Sequence, residues 1–316
     1  MKILFIGNSR LGDAILSTPI INYYNKKKNN ITVICSVLSK EIYSSFSSVD
    51  KLVELKKKKR GLHWIKAYYI LDPIKWDLVI DLRNSILSRL VRKTKVLRFN
   101  SKNVKTHKVD DYCKLINLKT NKAPRIPSSF YYQKSIKGLI IKQNIKTPIL
   151  AVAPITNWKR KDWPLKNYMA LIKSIFIDHK NYFSSVVLLG SKDEKYFCNQ
   201  LKDSLNTANV YNLAGSLEIL EIFELLKLCK FFIGNDSGLT HLAAASKIKT
   251  LALFGPSRDE KYRPWGKNSY FIRTPESYSQ LVEVDGYSRF DNTSLMKSLP
   301  VKDVLKISMN IILKRS

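Results

Sequence analysis

Cysteine and histidine are scarce in this chain of 316 residues, four of each. Cys35, Cys113, Cys198 and Cys229 lie outside metal-ligand or redox spacing of one another, and the histidines are equally dispersed. Isolated thiols suit a reducing compartment and an inert role, so no metal and no cofactor is expected. Long apolar runs are missing too, and nothing approaches the ~20 residues of a bilayer-crossing helix. Met1-Lys2-Ile3-Leu4-Phe5-Ile6 is too brief for a signal peptide and runs into Asn8, Arg10 and Asp13 with no small-residue cleavage pattern. It reads as the first buried strand of a cytoplasmic protein.

Acidic residues are the other shortage: 25 Asp and Glu stand against 55 Lys and Arg, a formal charge of +30. Such a field attracts polyanions, whether nucleic acid, an anionic membrane surface or phosphorylated substrates. Compositional bias explains it equally well, since the chain is also heavy in Asn and Ile. A nucleic-acid reader needs clustered basic and stacking aromatic residues or a known module, and the positive residues here are spread along the chain, so no nucleic acid partner is expected. The run Lys56-Lys57-Lys58-Lys59-Arg60 reads as a solvated loop. Near an anionic surface each basic residue adds about 1 kcal/mol, so peripheral contact with the inner face of the cytoplasmic membrane is a further expectation.

What is present is a repeated alternation of short apolar strands and helical stretches, which argues for parallel sheets covered on both faces. Strands are expected at Ile3–Ile6, Ile31–Cys35, Leu52–Leu55, Leu78–Leu82 and Val96–Phe99, with helices at Ala14–Tyr24 and His63–Ile70. Pro19 is expected to kink or shorten the first helix. The alternation restarts with strands at Ile149–Ala153, Ser185–Leu189, Val210–Leu213, Phe231–Gly234 and Thr250–Phe254. Helices at Leu165–Ile177, Glu194–Leu205, Leu217–Leu228 and Leu239–Ala245 separate them. A Pro- and Ser-richer stretch and a basic segment ending near Thr147-Pro148 set the domain boundary, giving residues 1–146 and 147–316. The last helix is a candidate to pack back on the first domain. The fold class is α/β: two doubly wound domains facing across a cleft, with ligands at the carboxyl ends of the strands.

Three turns carry chemistry. Gly7-Asn8-Ser9-Arg10-Leu11-Gly12-Asp13 has the glycine spacing of a P-loop, but Asp13 and Ala14 occupy the places of its Lys and Ser/Thr, and a carboxylate repels phosphate. Asp13 is therefore either a helix cap or a base for an attacking hydroxyl. Gly234-Asn235-Asp236-Ser237-Gly238-Leu239-Thr240-His241 ends a strand and opens an Ala-rich helix whose tip favours an anion. Ser237 and His241 lie four apart and can face one ligand, although an ordinary capped turn has the same look. Gly255-Pro256-Ser257 follows the next strand at the same sheet end. Thr156-Asn157-Trp158-Lys159-Arg160-Lys161-Asp162-Trp163-Pro164 places three cations in one loop, either to neutralise a leaving diphosphate or as solvated surface.

Taken in order, these blocks resemble glycosyltransferase family 9, the heptosyltransferases. Gly12-Asp13-Ala14-Ile15-Leu16-Ser17-Thr18-Pro19, Asp77-Leu78-Val79-Ile80-Asp81-Leu82, His107-Lys108-Val109-Asp110-Asp111-Tyr112, Lys161-Asp162-Trp163-Pro164, Asp236-Ser237-Gly238-Leu239-Thr240-His241-Leu242-Ala243 and Leu253-Phe254-Gly255-Pro256 carry the resemblance. It implies a GT-B fold of two Rossmann-like domains, with an anionic lipid-linked saccharide acceptor on the first and a nucleotide-sugar donor, ADP-heptose, on the second. It implies inverting transfer of heptose to a lipopolysaccharide inner core without a required metal, with Asp13 as general base. Thr156 and Lys161 would contact the donor diphosphate or sugar, and Asp236 the sugar. Ser237, Gly238, Leu239 and His241 would line the diphosphate site. Glu194, with Asp193 beside it, would hold the nucleoside. Ser9 and Gly12 would face the acceptor. Some relatives carry Lys where this chain has Leu87, a position expected to face the acceptor, with Arg83 or Arg89 standing in. A family 9 transferase using another nucleotide sugar for a different surface glycan is the alternative.

Overall fold

The structure, a computed structural model, describes residues 1–25, 27, 29–56, 62–101, 103–178 and 182–314, with backbone alone for 177 and 178. Lys57 to Arg60 of the basic run lie outside the described residues. The chain forms two compact units, Met1–Ser129 and Phe130–Ser316.

The first unit is a five-stranded sheet in the order β3-β2-β1-β4-β5. Its strands are β1 (Lys2–Ile6), β2 (Asn30–Cys35), β3 (Val49–Glu54), β4 (Trp76–Asp81) and β5 (Lys93–Arg98), all parallel. Helices α1 (Leu11–Asn25), α2 (Val37–Ser44), α3 (Leu62–Leu71), α4 (Leu87–Leu90) and α5 (Lys108–Leu115) connect and cover them. The strand order reverses between β1 and β4, so the loops after these two strands flank the crevice where such sheets hold ligands. Leu87 sits in the core with Leu4, Ile6, Trp76 and Val79, not at a ligand-facing position. An apolar side chain at that site is drawn under the sheet, which corrects the expectation that it faces an acceptor.

Pro19 does not shorten α1, which runs 15 residues with the proline buried inside it. Proline leaves the carbonyl four residues back without its amide partner. Here Thr18 Oγ1 donates to Ile15 O at 2.8 Å and takes that place. The same oxygen accepts from Arg125 N at 3.1 Å, tying the helix to the segment that closes the unit.

The second unit is a six-stranded parallel sheet ordered β11-β10-β9-β6-β7-β8. Its strands are β6 (Ile149–Ala153), β7 (Ser185–Leu188), β8 (Val210–Asn212), β9 (Cys229–Asn235), β10 (Lys249–Phe254) and β11 (Ser269–Arg273). Helices α6 (Phe130–Lys142), α7 (Leu165–Ile172), α8 (Lys195–Leu205), α9 (Ile219–Leu228), α10 (Gly238–Ser246), α11 (Asp259–Tyr262), α12 (Tyr278–Val282) and α13 (Val301–Leu313) surround them. β6 is buried along its whole length, as a central parallel strand must be. Helix α13 packs on α7 and β10 of its own unit.

The unit boundary falls at Ser129/Phe130, ahead of the sequence boundary at 146/147. The residues between form α6, which packs on α9 and is tied to it by Ser135 Oγ donating to Glu221 Oε1 at 2.6 Å. Ile136 is its only fully buried side chain, with Tyr132, Leu139 and Ile140 half-buried at helical spacing beside it, and the basic, mixed composition of the segment reads in sequence as a linker. All four cysteines are buried free thiols, and burial pushes Cys113 and Cys198 up to about 12.

Candidate active site

In the second unit the strand order reverses between β6 and β9, and the turns that follow these two strands meet there. Asn235, fully buried at the end of β9, joins them. Its side-chain amide donates to Pro154 O at 2.7 Å, and its Oδ1 accepts from Trp163 N at 3.2 Å and Tyr168 Oη at 3.0 Å. The strands come close enough that a Cβ on Gly234 would lie 2.9 Å from Ala153 O, so only glycine fits at that position.

The next residue, Asp236, is the centre of a charged cluster. Lys161 Nζ donates to Asp236 Oδ2 at 2.5 Å, and His241 Nε2 lies 4.0 Å from Oδ1. Burial by itself would raise this carboxyl. Lys161 and His241 outweigh that effect and hold it below its ordinary value, so it is ionised. Ser237 is the N-cap residue of α10 in extended conformation, and its side chain makes no capping hydrogen bond. Its Oγ is buried and has no partner among the described residues. The first-turn amides of α10, at Gly238 and Leu239, have no intrahelical acceptor. A cation, an anion-favouring helix tip and an unpartnered hydroxyl therefore share one place, which suits a bound diphosphate.

Thr156 and Asp162 follow β6 and Glu194 follows β7, all at the carboxyl end of the sheet. Asp162 Oδ1 accepts from Thr156 N and Thr156 Oγ1, both at 2.8 Å. Burial pushes Asp162 up to about 7 in spite of those hydrogen bonds, and the Glu194 charge adds to the rise. Glu194 itself closes a 3-10 turn, Lys192–Glu194, with Oε2 accepting from Ser191 N at 2.7 Å. Trp163 is fully buried against Tyr168, with Nε1 donating to Leu299 O at 3.0 Å, and anchors the loop.

In the first unit Ser9, Gly12 and Asp13 follow β1, and Arg83 and Arg89 follow β4, the two strands at its reversal point. Asp13 is the third residue of α1, where the helix dipole favours a carboxylate. It lies half-buried, with Oδ1 shielded from solvent, near Tyr43, whose phenol burial pushes far up and Asp13 raises further. The turn is held from three sides. Asn8 Nδ2 donates to Tyr112 Oη at 2.9 Å, Ser36 Oγ to Ser9 O at 2.7 Å, and Ser39 Oγ to Asn8 O at 3.0 Å. His107 caps α5, its Nδ1 accepting from Val109 N at 3.1 Å, so it orders the helix that carries Tyr112. Arg83 is exposed and stacks over the Trp64 ring at 4.8 Å, while Arg89 is exposed on α4.

The profile of glycosyltransferase family 9 (heptosyltransferase) matches residues 71–287. The chain belongs to glycosyltransferase family 9. It is accordingly a glycosyltransferase. Lipooligosaccharide heptosyltransferase 2 of Campylobacter jejuni is 27% identical over 283 residues, covering 84% of this chain and 85% of that protein. Lipopolysaccharide heptosyltransferase 2 of Escherichia coli K12 is 35% identical over 128 residues, 40% of this chain and 36% of the relative. Among solved structures, a family 9 glycosyltransferase from Veillonella parvula superposes with TM-score 0.80 at 17% identity, covering 99% and 97% of the two chains. Escherichia coli ADP-heptose lipopolysaccharide heptosyltransferase II superposes with TM-score 0.77 at 22% identity, covering 99% of each. The fold of this family 9 member is GT-B.

The sequence motifs of the family thus bring Lys161, Asp236, Ser237 and His241 together, with Thr156 and Glu194 beside them. Three further residues lie within the same turns but take roles that the sequence does not announce: Asn235, which joins the two turns, Asp162, which holds Thr156, and Arg160, whose side chain is buried. Asn235 and Arg160 draw their roles from partners far along the chain, and Asp162 from the way its own loop folds back.

Proposed function

We propose that this family 9 enzyme transfers a heptose from ADP-heptose to an inner-core acceptor of lipopolysaccharide or lipooligosaccharide by a single inverting displacement. The observation that carries the reading is the Lys161–Asp236–His241 cluster at the open tip of α10. The donor diphosphate would lie on the amides of Gly238 and Leu239 and the Ser237 hydroxyl. Lys161 would neutralise the charge that develops on the leaving ADP. Asp236, ionised and already paired, would accept a hydrogen bond from a sugar hydroxyl. Thr156 would contact the diphosphate, and Glu194 the ribose hydroxyls. The names of the relatives support heptose and a lipooligosaccharide or lipopolysaccharide acceptor for this chain.

In the proposed step the acceptor oxygen forms a bond to the anomeric carbon as the bond to the diphosphate oxygen breaks. The hydroxyl proton passes to the Asp13 carboxylate and ADP departs. A carboxylate is a weak base, but the hydroxyl becomes acidic as its new bond forms, so an ionised Asp13 suffices. Ser9, Gly12, Arg83 and Arg89 would face the acceptor, the two arginines its anionic groups.

We also assign turnover to an anionic lipid surface. Helix α3 turns an exposed stripe of Leu62, Ile65, Lys66 and Tyr69 outward, at helical spacing, and its neighbour α4 adds exposed Arg89 and Leu90, with exposed Ile86 just ahead of it. Apolar side chains framed by cations suit the headgroup layer.

The test is an ADP-release assay with ADP-heptose and a truncated core acceptor, with product mass as a second reading. Wild type should turn over, and Asp13→Asn should lose at least about 10²-fold in kcat while binding donor normally. Near-normal turnover by Asp13→Asn would reduce Asp13 to a helix-end carboxylate. No ADP release from ADP-heptose, or a product of different mass from another nucleotide sugar, would remove heptose from the assignment.

A further inference from the structure

Among Lys159, Arg160 and Lys161 the middle residue is the anomaly: it is buried, its side chain 7% exposed, while Lys159 is exposed. Burying a guanidinium is costly unless hydrogen bonds and counter-charge replace its water. Residues 287–296, which lead toward α13, supply both. Arg160 Nη1 donates to Ser288 O at 2.5 Å and pairs with Asp291 Oδ2 at 3.1 Å, and the guanidinium stacks over the Tyr287 ring at 4.7 Å. The backbone joins in, with Leu295 N donating to Arg160 O at 3.0 Å. Trp158 Nε1 donates to Arg289 O at 3.1 Å, and Ser294 Oγ to Asp162 O at 2.5 Å. The far end of this strap is fixed by Met296, fully buried on Gly255, where a Cβ would overlap its sulfur.

The strap therefore spans the turn after β6 and the turn after β10, and its Ser288 and Asp291 grip the buried guanidinium of Arg160, the residue next to Lys161. Lys161 reaches Asp236 from a single 3-10 turn, Lys159–Lys161, so the position of its Nζ depends on how that turn is held. Residues 288–296 lie beyond the stretch that the family profile matches, which takes in Arg160 and Tyr287.

We propose that Arg160 is a positioning residue for the donor site: clasped by Tyr287, Ser288 and Asp291, it fixes the turn so that Lys161 stands between Asp236 and the donor diphosphate. The proposal rests on the donor-site reading above.

The test uses the full chain with ADP as binding probe and ADP-heptose as substrate, comparing Arg160→Gln, Arg160→Lys, Asp291→Asn and Lys161→Gln. Arg160→Gln should weaken ADP binding and raise the donor KM by about tenfold, the size of a lost charge-assisted contact, with the acceptor KM unchanged. Asp291→Asn, at a half-exposed partner, should move the donor KM the same way by about threefold, and Arg160→Lys should recover part of the loss. In the Lys161→Gln background, Arg160→Gln should add little, because both changes act on one group. A destabilised but correctly positioned site would lower the active fraction and leave both KM values alone. Unchanged donor KM in Arg160→Gln and Asp291→Asn, or full additivity with Lys161→Gln, overturns the proposal. If Arg160→Gln fails to fold, Asp291→Asn and its additivity with Lys161→Gln decide alone. Wild type that binds no ADP would instead defeat the donor-site reading.

Discussion

Asp162 lies beside Lys161 and holds Thr156 by two hydrogen bonds, yet burial lifts it to about 7. A carboxyl whose folded value is raised favours folding while protonated, and that contribution is lost as pH rises toward the folded value. Between the ordinary 3.8 and about 7 the native state should thus lose stability as this group ionises, with a ceiling of about 4 kcal/mol. Asp162→Asn keeps an acceptor for Thr156 and removes the ionisation. Its melting temperature relative to wild type should therefore climb from pH 4 to pH 8, and a flat difference across that range would show that Asp162 does not titrate near neutrality. Lys161, Asp236 and His241 were legible as a group from the resemblance to the family, whereas the role of Asp162 was not. Its burial and its Thr156 partner are products of how the loop folds back on itself and under Ser294, and no local pattern announces that.

Most elements followed from apolar alternation, since strands covered on both faces are apolar along their length. β11 escaped because, at the sheet edge, every one of its residues is only partly buried. α6 escaped because it buries little. For α1 the shortening did not follow: proline leaves one carbonyl without its amide, and Thr18 replaces the lost bond. Thr18→Val keeps the shape but strips the partner from Ile15 O and from Arg125 N. It should cost about 1–3 kcal/mol in urea unfolding, with the donor KM unchanged because the helix belongs to the first unit. A loss under about 0.3 kcal/mol would mean that the helix tolerates the proline without help.

The paired doubly wound units were legible from the restart of the strand–helix alternation, and the +30 charge was plain from composition, but its purpose was not. The exposed stripe on α3 gives the charge an apolar companion. Binding to vesicles rich in anionic lipid should weaken as salt shortens the screening length to about 8 Å at physiological strength, and Leu62→Gln with Ile65→Gln should weaken it further. Equal binding to neutral vesicles, or none to either, would leave the charge as compositional bias. Donor binding as proposed depends on the tip of α10 being a diphosphate site built with Lys161 and Asp236. A crystal structure with ADP bound tests this most directly. The diphosphate should lie about 3 Å from the amides of Gly238 and Leu239 and from Lys161 Nζ. A diphosphate bound elsewhere on the second unit, with Lys161 still engaged only with Asp236, would contradict it.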